Sequence, residues 1–279
     1  MVATPIGNLA DMTLRAIHVL AKVDAVACED TRVSAQLLRH LGLDKPLLAL
    51  HQHNEHEGAA RVLERLGRGE SVAYISDAGT PAVSDPGAAL VAAVAARGHR
   101  VVPIPGASSA VAALSVAGDA AAAGFVFTGF LPAKGQERRD ALAALLGLPG
   151  AQVLFEAPHR IEALVAALAE AAPLRRLTLC RELTKQFETV VTLPAAEAPA
   201  WLAADPNRQR GEFVLVLHAA DRVAAADGLP ALAERTLALL LPALPLKQAV
   251  ALAAELSGAP RNALYARALE LKAGEAADT

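Results

Sequence analysis

Two segments place carboxylates and an arginine within a few residues of each other at the end of an apolar run. Cys28-Glu-Asp-Thr-Arg32 closes the run from Asp24, and Phe155-Glu-Ala-Pro-His-Arg160 closes the run from Ala151. A carboxylate facing a cleft beside an arginine can orient a polar substrate through charge-assisted hydrogen bonds. For the first segment a plainer account stands alongside, in which Asp30 or Thr31 caps the helix that follows while Arg32 pairs with a carboxylate. Two strand ends with the same arrangement suggest two walls of one site.

Three turns carry further candidates. Ser76-Asp-Ala-Gly-Thr-Pro-Ala-Val-Ser-Asp-Pro-Gly87 lies between the strand-like run from Ser71 to Ile75 and the helical run from Ala88 to Ala96. A turn at the carboxyl end of a buried strand is where open α/β folds bind ligands. Gly79 and Gly87 admit backbone angles closed to other residues, so main-chain groups can lie against a small molecule. Asp77 stands just past the strand, placed to bond a hydroxyl or amine. Helix capping by Asp85, with Pro86 at the first helical position, would explain that end of the turn and leave Asp77 to Pro81 unexplained. Pro105-Gly-Ala-Ser-Ser109 offers hydroxyls that could meet a ligand at a helix start or simply cap that helix. Ala3-Thr-Pro-Ile-Gly-Asn-Leu9 forms a proline-glycine turn but no nucleotide fingerprint, because the only G-x-G is Gly67-Arg68-Gly69 and Val72 stands where a third glycine belongs. His51, His53, Glu55, His56 and Glu57 invite a metal, yet no second cluster completes a coordination shell, which favours a polar surface or cleft wall.

The elements that must position these residues alternate. Strand-like runs at Asp24 to Cys28, Leu47 to Leu50, Ser71 to Ser76 and Arg100 to Ile104 each precede a helical run, which predicts a mostly parallel sheet. A second series from Phe125 to His218 reads as another α/β domain with a more antiparallel sheet, joined near Gly118 to Gly124. After Asp221 the pattern is helical only, from Leu229 to Leu241, Leu246 to Leu256 and Arg261 to Lys272. The last two helices are compatible with a helix-turn-helix. Their excess of Lys247, Arg261, Arg267 and Lys272 over Glu255 and Glu270 is as compatible with an RNA contact as with plain packing. The expected domains are 1–117, 118–221 and a helical module at 222–279.

Composition narrows the function classes. With 279 residues and 54% hydrophobic content the chain can fill two ordinary cores. A formal net charge of −3 argues against a protein that coats nucleic acid indiscriminately, and 3% aromatic residues argue against an extensive base-stacking platform. Cys28 and Cys180 are too few for a disulfide framework, which predicts a reducing, cytoplasmic setting. No signal peptide or membrane span is legible.

Taken in order, Ala3-Thr-Pro-Ile-Gly-Asn-Leu9, Cys28-Glu-Asp-Thr-Arg32, His53-Asn-Glu55, Ser76-Asp-Ala-Gly-Thr-Pro81 with Ser84-Asp-Pro-Gly87, Pro105-Gly-Ala-Ser-Ser109, Gly129-Phe-Leu-Pro132, Phe155-Glu-Ala-Pro-His-Arg160 and Gly211-Glu-Phe-Val-Leu215 resemble the bacterial ribosomal RNA small-subunit methyltransferase I family of the tetrapyrrole methylase superfamily. The resemblance runs from residue 2 to about residue 272. It implies two α/β domains of the tetrapyrrole methylase type, with S-adenosylmethionine in the cleft between them, plus the small helical module. It further implies a homodimer that 2′-O-methylates a decoding-centre cytidine of 16S rRNA, within the 30S subunit, with neither metal nor membrane. Carried over by position, Pro5, Ile6, Asp77, Ala78, Gly79, Thr80, Ser108 and Ser109 are expected cofactor contacts, with Gly129, Glu156 and Glu212 as weaker candidates. Family members have several residues before Val2 that form most of the first strand, so a shortened first strand is expected here.

Methyl transfer needs the acceptor in line with the methyl group, so positioning is the protein's main task. A carboxylate that takes the ribose proton would help, and Asp30 or Glu156 is the expected acceptor, with Arg32 and Arg160 holding phosphate or ribose. Lys134, Arg138, Arg139 and His159 are the expected RNA contacts. A tetrapyrrole C-methyltransferase and a non-catalytic RNA-binding protein are the competing functions.

Overall fold

A computed structural model describes residues 1–51, 54–220, 229 and 231–277. Its first compact unit, Met1–Ala220, contains two sheets. The run α1 (Leu14–Lys22), β1 (Ala25–Cys28), α2 (Thr31–His40), β2 (Leu47–Ala49), α3 (Glu55–Gly67), β3 (Val72–Ile75) and α4 (Ala88–Ala96) builds a parallel sheet in the order β2-β1-β3. Side chains alternate across it. Val26, Cys28, Ala73 and Ile75 pack with Ala16, Leu20 and Leu38 of α1 and α2, while Ala27 and Tyr74 pack with residues of α3 and α4.

The sequence predicts further strands at the chain start and at Arg100 to Ile104, and both are reduced to isolated pairings. Val2 N–H donates to the Tyr74 carbonyl, and Ile104 N–H donates to that of Met1. Thr4 and Gly79 exchange N–H to carbonyl bonds of 2.9 and 3.1 Å, which pins the first turn to the one after β3.

α5 (Ser109–Ala117) leads to the second series: β4 (Phe125–Phe130), α6 (Gly135–Leu146), β5 (Ala151–Glu156), α7 (Ile161–Ala171), β6 (Arg176–Arg181), β7 (Thr189–Pro194), α8 (Ala198–Ala203) and β8 (Phe213–Leu217). The sheet order is β4-β5-β8-β6-β7, with β4 and β5 parallel and the remaining pairings antiparallel. Leu154, Leu215 and Leu217 face a core shared with α7 and α8. On the other face Val153, Cys180, Val214 and Val216 pack against Ala110, Ala113 and Ala117 of α5. α5, which comes before the second sheet in sequence, therefore covers one face of it. The carboxyl ends of β1, β3, β4 and β5 and the start of β8 carry the chemistry described below.

The second compact unit, Asp221–Thr279, holds α9 (Ala231–Leu240), α10 (Leu246–Ser257) and α11 (Arg261–Ala277) around Leu237, Val250, Ala253, Leu264 and Ala268. Arg267 is engaged by Glu234 at 3.0 Å and Glu270 at 2.9 Å. Asp221 and the side chain of Lys272 lie outside the described residues. Among the described residues no helix is long and apolar enough to cross a membrane.

Candidate functional site

Two cavities flank the turn after β3. One, of about 390 Å³, is lined by Ala78, Gly79 and Thr80 of that turn, Ser108 and Ser109 at the start of α5, and Phe130, Phe155 and Glu156 from the ends of β4 and β5. We call it the Ser109 cavity. The other, of about 450 Å³, is lined by Pro5 and Gly7, by Gln36, Leu37 and His40 of α2, by Asp77 and by Lys185. We call it the α2 cavity. Ile6, Ala78 and Glu212 line both. A third, of about 350 Å³, is lined by Met1, Val72, Leu90 and the segment from His99 to Ile104, so it lies at the amino end of β3, away from these groups.

The Ser109 cavity joins an apolar wall to a polar rim. Phe155 meets Phe127 and Phe130 edge-on, with ring centroids 5.0 and 5.6 Å apart. Ser108 is the N-cap residue of α5, yet its hydroxyl makes no capping bond, so capping does not account for it. Thr80 Oγ1 donates to the Ala107 carbonyl at 3.0 Å and ties the two turns together. Gly79 and Gly87 have φ of 77° and 128°, the left-handed region the sequence predicts for them.

Among the described residues, four non-glycine residues also have positive φ: Ala82 and Ser84 in the turn, and Glu182 and Thr184 between β6 and β7. Left-handed backbone costs such residues about 1 kcal/mol each and concentrates where ligands are held. The second loop escapes the sequence reading. Its Lys185 donates to Glu182 Oε1 at 2.9 Å and to Glu212 Oε2 at 3.0 Å. A Cβ at Gly7 would collide with the Lys185 side chain, so glycine is what lets this loop close against the first turn. The charged run Arg181-Glu-Leu-Thr-Lys185, directly after an apolar strand, is the signal that could have marked it.

The two carboxylate and arginine strand ends differ from expectation and from each other. Glu156 is completely buried, with Oε2 3.0 Å from Arg138 Nη2 and Oε1 3.0 Å from Arg160 Nε. Oε1 also accepts from Ala157 N–H. Arg138 and Arg160 in turn donate to the Pro132 and Leu131 carbonyls. Glu156 therefore fastens the loop after β4 with both oxygens engaged inside the protein, where a contact with the ribose was expected, and Arg138, its side chain 15% exposed, is turned to Glu156 where a contact with RNA was expected. Asp30 is the N-cap of α2, accepting from Arg32 N–H at 2.8 Å, and forms an exposed ion pair with the Arg32 guanidinium. Those hydrogen bonds pull its carboxyl down to about 2, too acidic for an effective proton acceptor near neutral pH. Neither Asp30 nor Arg32 lines the Ser109 cavity or the α2 cavity.

Other expectations are relocated. Asp77 lies in the α2 cavity and not among the residues of the Ser109 cavity, and its Oδ1 accepts from Asp30 N–H at 3.1 Å. Asp85 does not cap α4; Gly87 holds that place, and Asp85 lines the Ser109 cavity, its carboxyl raised by burial and then by Asp77. Glu29 is raised by burial and by Asp77, Asp85 and Asp30. Gly129 sits at a bulge between β4 and β5, where a Cβ would stand 3.1 Å from Ser84 Oγ; it brings the turn close and lines neither the Ser109 cavity nor the α2 cavity. Lys134, Arg139 and His159 are exposed, with Arg139 held by Gln136. Among the described residues no three His, Cys, Asp or Glu side chains are grouped to hold a metal ion, and His53 lies outside them.

Residues 1–199 match the family described as Tetrapyrrole (Corrin/Porphyrin) Methylases, and residues 219–272 match the RsmI C-terminal HTH domain. Among solved structures, diphthine synthase aligns with a TM-score of 0.59 at 16% identity, over 78% of this chain and 88% of that one. The Thermus thermophilus uroporphyrin-III C-methyltransferase complexed with S-adenyl homocysteine aligns with a TM-score of 0.52 at 18% identity, over 77% and 94%. These likenesses show the fold. The chain is 48% identical to the ribosomal RNA small subunit methyltransferase I of Pseudomonas aeruginosa over 97% of this chain and 96% of the relative, and 48% identical to that of Escherichia coli O157:H7 over 97% and 94%. The chain belongs to the ribosomal RNA small subunit methyltransferase I family.

Proposed function

We propose that this chain methylates 16S rRNA in the 30S subunit, in the cytoplasm, at the ribose 2′-hydroxyl of a cytidine, and that the Ser109 cavity holds the methyl donor, S-adenosylmethionine. The relatives' shared name supports rRNA as the substrate. The observation that carries the cofactor assignment is the lining of the Ser109 cavity. It is large enough for a small ligand, offers the Phe130 and Phe155 wall to a flat ring, and presents the Ala78 to Thr80 backbone, the Ser108 hydroxyl and Glu212 to polar groups. The bound cofactor supplies an activated methyl group. The protein's residues hold the donor, exclude water and align the acceptor oxygen. Ile6 and Ala78, shared by both cavities, form the partition across which donor and acceptor face each other.

A homodimer agrees with the exposed Phe125 and Val126 on β4, an edge strand of the second sheet. Lys134, Arg139 and His159 stay exposed and available to RNA.

Ser109→Trp tests the cofactor assignment by filling the cavity. Calorimetric titration with S-adenosylmethionine is expected to show a Kd at least tenfold weaker at an unchanged Tm; an unchanged Kd would remove the cofactor from this cavity.

A further inference from the structure

We infer that the α2 cavity is the acceptor subsite, which takes the target nucleotide swung out of its helix and receives the ribose hydroxyl's hydrogen bond on the Asp77 carboxylate; this rests on the function proposed above. The α2 cavity is about 450 Å³, within the roughly 300–1,000 Å³ typical of small-molecule sites. Ile6, Leu37 and Ile75 give it an apolar surface, and Ser34, Gln36, His40, Asp77, Lys185 and Glu212 are among the polar groups that line the rest. That combination suits a nucleoside, with a base against the apolar surface and hydroxyls at the polar groups.

Position adds to composition. The cavity shares Ile6, Ala78 and Glu212 with the Ser109 cavity, so an acceptor seated here and a donor seated there are separated by a single turn. Asp77 stands in that turn on the acceptor side, and its Oδ1 is steadied by Asp30 N–H at 3.1 Å. Among the described residues it makes no ion pair, in contrast to Glu156 and Asp30. Lys185, bound to Glu182 and Glu212, reaches the wall from the loop between β6 and β7. Two exposed arginines of α2, Arg32 and Arg39, stand on the helix that supplies the mouth residue His40, where they can meet flanking phosphates. A base inside an RNA helix cannot enter such a cavity, so the nucleotide must leave its stack, as enzymes acting on single nucleotides require.

Two variants on the exposed face of α2 test the cavity. Gln36→Trp fills it, and His40→Glu sets a negative charge at its mouth. For each, affinity for unmethylated 30S subunits is measured by filter binding with S-adenosylhomocysteine present, and affinity for S-adenosylmethionine by calorimetry. The expected result is at least tenfold weaker 30S binding for both, with cofactor Kd within twofold of wild type. Asp77→Asn, which keeps an oxygen for Asp30 N–H, is expected to lower turnover at least a hundredfold with cofactor Kd within threefold. Unchanged 30S affinity in Gln36→Trp, or loss of cofactor binding in its place, overturns the subsite. If the wild-type chain binds cofactor but transfers no methyl group to 30S subunits, the proposed function itself fails, and the subsite with it; transfer by the wild type with an indifferent Gln36→Trp overturns the subsite alone.

Discussion

The strand ends after β1 and β5 look alike in sequence, each with a carboxylate and an arginine two to four residues on, and they are opposites in the folded chain. Asp30 and Arg32 pair at the surface, the Arg32 side chain 89% exposed, in a contact that water and salt screen. Glu156 is fully buried between two arginines that also hold the carbonyls of Leu131 and Pro132. Taking one member away strands the others in low dielectric. The difference teaches that a charged pair near a site is no guide to its role until burial is known. Here the buried pair shapes the cleft, the exposed pair caps a helix, and Asp77, which has no ion pair among the described residues and accepts from Asp30 N–H, lines a cavity.

Glu156→Ala should have the largest effect, because it leaves Arg138 and Arg160 without their partner. A loss of about 3–5 kcal/mol is expected, which for a unit of this size is a fall in Tm of roughly 6–20 °C. Calorimetry in saturating cofactor checks it, and a fall under about 2 °C would mean the clamp is not structural. Asp30→Ala, which removes the cap of α2 while sparing the core, should lower Tm by about 3 °C. Arg32→Ala should lower it by about 1 °C or less, and 0.5 M salt should erase the difference.

An effect of similarly small size and opposite sign is expected at Glu29. Burial, with Asp77, Asp85 and Asp30 nearby, raises its carboxyl above the ordinary value, so the folded chain binds this proton more tightly than the unfolded chain. Its ionisation therefore costs stability as pH rises through the carboxylate range and above. Glu29→Gln should raise Tm at pH 7 by about 1–2 °C, and the gain should vanish toward pH 4, below the raised value. A gain that persists at pH 4 would locate the effect in packing and not in charge.

Alternation of apolar runs with helical ones made both sheets legible, because β1 and β3 are buried on both faces by helices that the same pattern supplies. The positions of the turns followed, since each glycine-rich segment had to leave the carboxyl end of a buried strand. What the turns do with their side chains was less legible. Asp85 looked like a cap from the proline after it, but the N-cap is Gly87, whose φ of 128° no capping aspartate would adopt readily. Arg138 looked like an RNA contact on a helix surface; only the fold brings it to Glu156, 18 residues away in sequence. Lys185 reaches Gly7 from the other sheet, a contact no local pattern encodes.

The most direct test of the proposed activity supplies labelled S-adenosylmethionine to the protein together with 30S subunits from cells lacking this methylation, then digests the 16S rRNA to nucleosides for mass spectrometry. The proposed function predicts label in 2′-O-methylcytidine, lost in Ser109→Trp. Label in no rRNA nucleoside, from 30S subunits or from naked rRNA, while the protein still binds cofactor, would contradict the account and point to a small-molecule acceptor.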